Sequence, residues 1–232
     1  IKSRTDPYYR TFLETLHIYT YTKPYYNHEA LLPYVGFRNG FFVQCGGNDG
    51  YSNDPTYHLE KVFGWKGIIV EPLPIYKLCK KNRPNSVVYN CATGPFTNKK
   101  DETAVFIDCN AMSFVEGSLD EEQTKEWIKG GERSQQIKAK RIIVPIKPVQ
   151  ELIDEYVKTH GKQTIDLFVA DTEGYEFSIL QGLDFSKNSP HYILLEIHKD
   201  SELEKITNLL KQNNYTLLKI FEQRDFLFTL KK

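Results

Sequence analysis

From Gly40 onward, short apolar runs alternate with amphipathic stretches. Phe41–Cys45 (FFVQC), Lys66–Pro72 (KGIIVEP) and Ser86–Ala92 (SVVYNCA) read as strands. Their continuous apolar character suits a parallel sheet covered on both faces. Between them, Pro55–Gly64 reads as a helix, with proline in its first turn and glycine at its end. Ile75–Arg83 reads as a second, amphipathic helix. The rhythm returns with the strand RIIVPI, the helix VQELIDEYVKTH and the strand Ile165–Asp171. The helix YEFSILQGL, the strand Tyr192–His198 and the helix SELEKITNLLKQNN follow. Two final strands, YTLLKIF and DFLFTLK, meet at a short polar turn and predict an antiparallel hairpin. The whole is an α/β pattern.

Two segments interrupt it. Residues 1–39 are aromatic and broken by Pro7, Pro24 and Pro33, and they predict an N-terminal helical cap. Its helices are expected near Pro7–Tyr19 and near His28–Tyr34. Residues 115–141 are rich in Glu, Lys and Gln around Gly130-Gly131. They read either as a lid over a site or as a solvated helical insertion. A polar stretch (Gly94–Glu102) and a strand (Ala104–Ile107) precede them. No repeat, low-complexity tract or clean domain boundary appears, so residues 1–232 are expected to form one domain. The start at Ile1 suggests that it is cut from a longer protein.

Charge narrows the partners. Thirty Lys+Arg balance thirty Asp+Glu, so nothing argues for nucleic acid or an acidic tail. No apolar run approaches the roughly 18 residues of a membrane-spanning helix, and no signal peptide is visible. Cys45, Cys79, Cys91 and Cys109 show no C-x-x-C spacing. Mostly in apolar surroundings, they suit free thiols in a reducing compartment, and a cytoplasmic location is the expectation.

The chemistry starts at the first strand. GFFVQCGGNDGYSNDP (Gly40–Pro55) breaks into a glycine-rich turn, which lets backbone approach a ligand and aims the next helix at it. The order Gly46-Gly47-Asn48-Asp49-Gly50 is not G-x-G-x-x-G, and no G-K-[ST] exists. An NAD-dependent enzyme and a P-loop are therefore disfavoured. S-adenosylmethionine makes different demands: no phosphates, a ribose diol and a charged amino-acid end. Glu71, ending the second strand, is placed to grip the diol.

These blocks, with IDLFVADTEGYEFSILQGL and YILLEIH, carry a resemblance to the FkbM family of S-adenosylmethionine-dependent methyltransferases. The match covers Gly40–Ala92 and Ile142–His198. The resemblance implies a Rossmann-like class I methyltransferase fold, a mostly parallel seven-stranded sheet ending in an antiparallel hairpin. It implies a cofactor site at Gln44, Gly46, Asn48, Asp49, Tyr51, Glu71, Pro72, Asn90, Ala92 and Asp171. Asp49 either lines the methionine end or only caps the following helix. Asn90 and Ala92 either border the adenine or only turn the chain. Gln44 stands where many members carry Asp, Gly47 where many carry Ala, and Ala170 where Lys is common. The implied substrates are hydroxyls of polyketides or glycan sugars, and a deoxyhexose on a glycan is the preferred acceptor. A fused glycosyltransferase is a possible partner domain.

Residues two apart in a strand face one way, so Asp171 with Glu173, and Glu196 with His198, are expected to converge at the strand ends. The sequence reading assigns His198 as general base, with Asp171 beside it as the second catalytic residue. The four also form a candidate site for Mg²⁺ or Mn²⁺, since oxygen-rich sets suit hard cations. The competing reading is that Glu196 caps a neighbouring helix or pairs with a lysine and that His198 is an ordinary strand-end residue. Ser113 falls where substrate or cofactor passes. Asp54-Pro55 is expected to start a helix and His58 to lie on a helix surface. Trp127 either stacks on a sugar or anchors the insertion. The rival functions are an N-methyltransferase acting on a peptide or small amine, and a non-catalytic binding module.

Overall fold

The computed structural model describes residues 28–97, 102–221 and 224–231. The expected helix near Pro7–Tyr19 lies outside the described residues. The described chain begins α1 (His28–Val35), β1 (Phe41–Cys45), α2 (Tyr57–Phe63), β2 (Lys66–Val70), α3 (Tyr76–Asn82) and β3 (Val87–Tyr89). A second layer intervenes with β4 (Ala92–Gly94), β5 (Thr103–Asp108), β6 (Phe114–Val115), α4 (Glu121–Gln135) and β7 (Lys140–Pro148). The main fold then resumes with α5 (Val149–His160), β8 (Leu167–Ala170), α6 (Glu176–Leu180) and β9 (Tyr192–Glu196). It ends with α7 (Asp200–Gln212), β10 (Tyr215–Phe221) and β11 (Asp225–Leu230).

The main sheet has seven strands in the order β3-β2-β1-β8-β9-β11-β10. Every pairing from β3 to β9 is parallel, and β11 runs antiparallel to both neighbours. This is the expected mostly parallel sheet with a C-terminal antiparallel hairpin. The final strand is not its edge, however. β11 inserts between β9 and β10, where Phe226, Leu227 and Phe228 are buried, and β10 keeps Leu217, Leu218 and Ile220 at the rim.

Two-residue periodicity divides the core. Phe41, Val43, Ile68, Val70, Phe168, Ile193 and Leu195 face one layer, where α5 and α7 contribute Leu152, Ile153, Ile206 and Leu210. Phe42, Ile69, Val169 and Leu194 face the other, against α1 and α2 through Leu31, Val35 and Leu59. Each such aliphatic side chain, fully buried, contributes about 1.5–3 kcal/mol.

The expected strand Ser86–Ala92 is split. Its ladder with β2 ends at Tyr89, and Ala92–Gly94 pairs instead with Ile146–Pro148 of β7. The Asn90 side chain fastens the break by donating to the carbonyls of Glu71 and Pro72. The 115–141 insertion contains a real helix, α4, with a capping box between Asp120 and Gln123. Trp127 and Ile128 of α4 pack on Ile107, Cys109 and Phe114. Among the described residues, no helix is long and apolar enough to cross a membrane.

Candidate functional site

The strand order reverses between the parallel neighbours β1 and β8, so their carboxyl ends open a crevice. A cleft of about 400 Å³ occupies it, walled on one side by Phe106, Met112, Ser113 and Val115 of the second layer. Gly46 begins the turn after β1 at φ 88°, and its N–H donates to the carbonyl of Val70. A Cβ there would lie 2.1 Å from the carbonyl oxygen of Asp171. The turns after β1 and β8 thus touch through the missing side chain. Gly46→Ala should lower the melting temperature by at least about 3 °C, from left-handed strain of about 1–2 kcal/mol plus the clash. An unchanged melting curve would refute this contact.

Glu71 closes the β2 end of the cleft. One carboxylate oxygen accepts from the N–H of Asn48 (2.7 Å) and the other from that of Leu73 (2.8 Å). Burial outweighs these bonds and pushes the carboxyl up to about 7. Each oxygen keeps a lone pair for a hydroxyl. Gly46, Asn48, Pro72 and Ala92 line the same cleft. Asp49, Tyr51 and Asn90 do not. Asp49 accepts from the N–H groups of Tyr51 and Ser52 and from the Ser52 hydroxyl, which builds the turn itself.

Gln44 lines the cleft floor, but its amide is spent on protein partners. Its NH₂ donates to the carbonyl of Gly46 and to Asp54, and its oxygen accepts from Thr56. Behind it, the fully buried Arg83 pairs with Asp54 (2.7 Å) and Glu60 (2.8 Å), and donates to the Thr56 hydroxyl. Asp54 therefore does more than start a helix. This network gives Gln44 a physical reason: a carboxylate at 44 would face Asp54 across an Arg83 already shared by Asp54 and Glu60. Arg83 and Glu60 were not singled out from sequence, because 23 positions separate them.

At the ends of β8 and β9 the expected extended geometry fails. β8 stops at Ala170, and Asp171–Gly174 turn, with Glu173 left-handed at φ 58°. The buried carboxylate of Glu176 holds that turn, accepting from the N–H and hydroxyl of Thr172 and the N–H of Gly174. Glu176 was quoted in the sequence motif but given no role. The turn still brings the four residues together. His198 Nε2 lies 3.2 Å from Glu173 and 3.5 Å from Glu196. Asp171 is exposed at the bottom of the cleft, next to Glu196. Its depth in the protein and the neighbouring Glu196 hold its carboxyl well above the usual range. Glu196 is drawn down to about 2 despite its burial, by hydrogen bonds from His198 and Asp171. The two carboxyls are thus coupled, Asp171 shifted up and Glu196 shifted down.

One carboxylate oxygen each of Glu173 and Glu196 and a ring nitrogen of His198 lie within 4.8 Å of one another, and Asp171 stands outside that group. Arg224, a pure donor, is 3.0 Å from His198 Nδ1. The two carboxylates raise the His198 pKa to about 10 against the effect of burial. As a cation the ring has no lone pair. As the neutral form it accepts from Arg224 at Nδ1 and keeps its proton on Nε2. Nε2 lies at ion-pair distance from both acids but makes no hydrogen bond to either, and Glu173 Oε2 is likewise buried without a hydrogen-bond partner. The charged ring is an ion-pair partner of Glu173 and Glu196, and in that form it has no lone pair for a metal or for a proton.

Ser113 lines the cleft, with its hydroxyl donating to the carbonyl of Asn110. Trp127 meets the His198 ring edge-on at 5.2 Å, so it anchors α4 to the end of β9. His58 is buried rather than on a helix surface, and lies outside the cleft lining. All four cysteines are buried and free; desolvation pushes Cys45 and Cys79 up to about 12, which leaves them unreactive thiols.

A family model described as the methyltransferase FkbM domain matches residues 44–217. No curated protein sequence matches the chain. Among solved structures, a precorrin-6y C5,15-methyltransferase from Geobacter metallireducens is similar at 10% identity and a TM-score of 0.45. The likeness covers 88% of this chain and 87% of that one. An O-methyltransferase from Bacillus cereus, in complex with SAH, is similar at 10% identity and a TM-score of 0.43, covering 98% of this chain and 94% of that one.

Proposed function

The chain belongs to the FkbM methyltransferase family, and from that premise we propose that it uses S-adenosylmethionine to methylate a hydroxyl of a sugar. The observation that carries the cofactor reading is Glu71, set at the end of β2 with both oxygens aligned by backbone N–H groups beside the Gly46–Asn48 turn. The residues present fit that cofactor. Glu71 offers acceptors for a ribose diol, and the side-chain-free Gly46 and Gly47 leave room for close backbone approach. Cys91 and Ala92 border the cleft where an adenine would rest. A sugar acceptor is favoured by the resemblance, and by a wall that mixes carboxylates with the rings of Tyr175 and Phe106.

The cofactor, when bound, supplies a methyl group activated by its sulfonium. The rest of the chemistry is proton management. Asp171 faces the cleft with a raised pKa, so in its ionised form it is basic enough to take the acceptor's proton. Glu196 stays ionised beside it, and His198 holds Glu196 and Glu173 in place. The acceptor oxygen would gain its bond to the methyl carbon as that carbon's bond to sulfur breaks, releasing S-adenosylhomocysteine, and the acceptor's proton would pass through Asp171 to solvent.

Calorimetric titration with S-adenosylhomocysteine tests this reading. Wild-type protein should bind with a Kd of about micromolar order, unchanged by EDTA, Mg²⁺ or Mn²⁺. Glu71→Ala should weaken binding at least about tenfold through the lost diol contacts. No binding under any condition would sink the cofactor reading and favour a silent binding module.

A further inference from the structure

The turn that carries Asp171 into the cleft is held under load. β8 ends at Ala170, and in the Asp171–Gly174 turn Glu173 takes a left-handed φ of 58° and Gly174 a φ of 97°. Such a backbone is costly for a glutamate and persists only where its surroundings fix it. Asp171 and Glu173 of this turn both face Glu196 at the end of β9. Like charges push apart, so the turn needs a tether.

Glu176 supplies it. The residue is fully buried at the start of α6, and it is not part of the cleft lining. Its Oε1 accepts from the N–H (2.7 Å) and the hydroxyl (2.9 Å) of Thr172, and its Oε2 from the N–H of Gly174 (3.1 Å). These donors flank Glu173 on both sides. Burial first, then Glu202 of α7, push the Glu176 carboxyl up to about 7, and the Thr172 donors pull it down. The turn thus stabilises the ionised form that binds it. Resting on the proton-accepting role proposed above for Asp171, we infer that Glu176 is a positioning residue for the transfer step: its carboxylate fixes Asp171 and Glu173 beside Glu196, so the reaction depends on a group that touches neither acceptor nor cofactor. Glutamine at 176 keeps the shape but has one accepting oxygen, and its NH₂ would face an N–H. Thr172→Val removes the hydroxyl donor and changes no charge. The ionisable groups facing Asp171 are Glu196 of β9, Glu173 of its own turn and Glu176 of α6, and His198 pairs with Glu196. When the tether loosens, Asp171 moves toward water and away from Glu196, so its midpoint falls.

Carbon NMR of protein labelled at its aspartate carboxyls tests this without a known acceptor. The Asp171 signal, identified by its loss in Asp171→Asn, is followed across pH in the wild type, Thr172→Val, Glu176→Gln and the double variant. S-adenosylhomocysteine binding is titrated in each, and methyl transfer to the methyl glycoside of L-rhamnose is read by mass spectrometry. Thr172→Val should lower the Asp171 midpoint by on the order of half a pH unit, and Glu176→Gln by more. The double variant should add little to Glu176→Gln, since both substitutions break one tether. With the methyl glycoside, Glu176→Gln should lower kcat at least about tenfold and leave the KM for S-adenosylmethionine within about threefold, as expected of a displaced base. An Asp171 titration unchanged in Thr172→Val and Glu176→Gln overturns the inference, as do additive shifts or a kcat that Glu176→Gln leaves intact. If Glu176→Gln does not fold, the titration of Thr172→Val decides alone. S-adenosylhomocysteine binding that persists in those cases shows that this inference failed and not the cofactor reading. A wild-type Asp171 that titrates as an ordinary carboxyl sinks the proton-accepting role, and the inference with it.

Discussion

Arg83→Met should cost about 3–5 kcal/mol of folding stability, because it strands two buried carboxylates without their cation. The guanidinium is fully buried, pairs with Asp54 and Glu60, donates to Thr56 and lies over the Phe42 ring at 5.2 Å. Total stability for such a domain is about 5–15 kcal/mol, so the variant loses a large share of it. At about 2–4 °C per kcal/mol, the melting temperature should fall by roughly 6–20 °C. The double variant Arg83→Met with Glu60→Gln should recover part of that loss, since one stranded charge is gone. Arg83→Lys should fall in between, because one ammonium cannot span both acids and the hydroxyl. A melting temperature for Arg83→Met within about 2 °C of wild type would mean that the network contributes nothing net.

Asp171→Asn should lower kcat by about 10²–10⁴-fold, the range for removing a general base, while S-adenosylhomocysteine still binds. The pH profile separates this role from a structural one. Asp171 works deprotonated, and its pKa is raised. Wild-type kcat/KM should therefore be low below that raised pKa, climb as pH passes through it, and level off above. The asparagine variant should lose the climb. His198→Gln serves as the contrast: it keeps a donor toward Glu173 and Glu196, so it should retain much more activity than Asp171→Asn. Full activity in Asp171→Asn, or a larger loss in His198→Gln, would return the base role to the imidazole. The profile reads Asp171 and its partner Glu196 together, because the two titrate as a coupled pair.

Much of this protein was legible in the order of its residues. Apolar runs bounded by Gly, Pro and Asn located β1, β2, β8 and β9, since strand and turn preferences act over a few neighbours. The glycine order Gly46-Gly47-Asn48 and the acid at Glu71 pointed to the cleft that the fold forms. The split of Ser86–Ala92 was not legible. Nothing local distinguishes Val88 from Thr93; the break exists because β7 offers a second partner. Nor was the role of Glu176, whose worth lies in the orphan N–H groups of a turn that had been read as strand.

By itself, then, the sequence determined the alternating α/β pattern, the glycine turn, Glu71 and the acid-rich strand ends, because periodicity and turn chemistry are local properties. Tertiary structure decided what those residues do. It closed Gln44 into the Arg83 network, took Asp49 and Asn90 off the cleft wall and set Asp171 against Glu196. It also placed Arg224 behind His198, 3.0 Å from its Nδ1. Partners 19 to 33 positions apart meet only when the layers stack. The protonation state of a buried group follows from those partners, not from its neighbours in the chain.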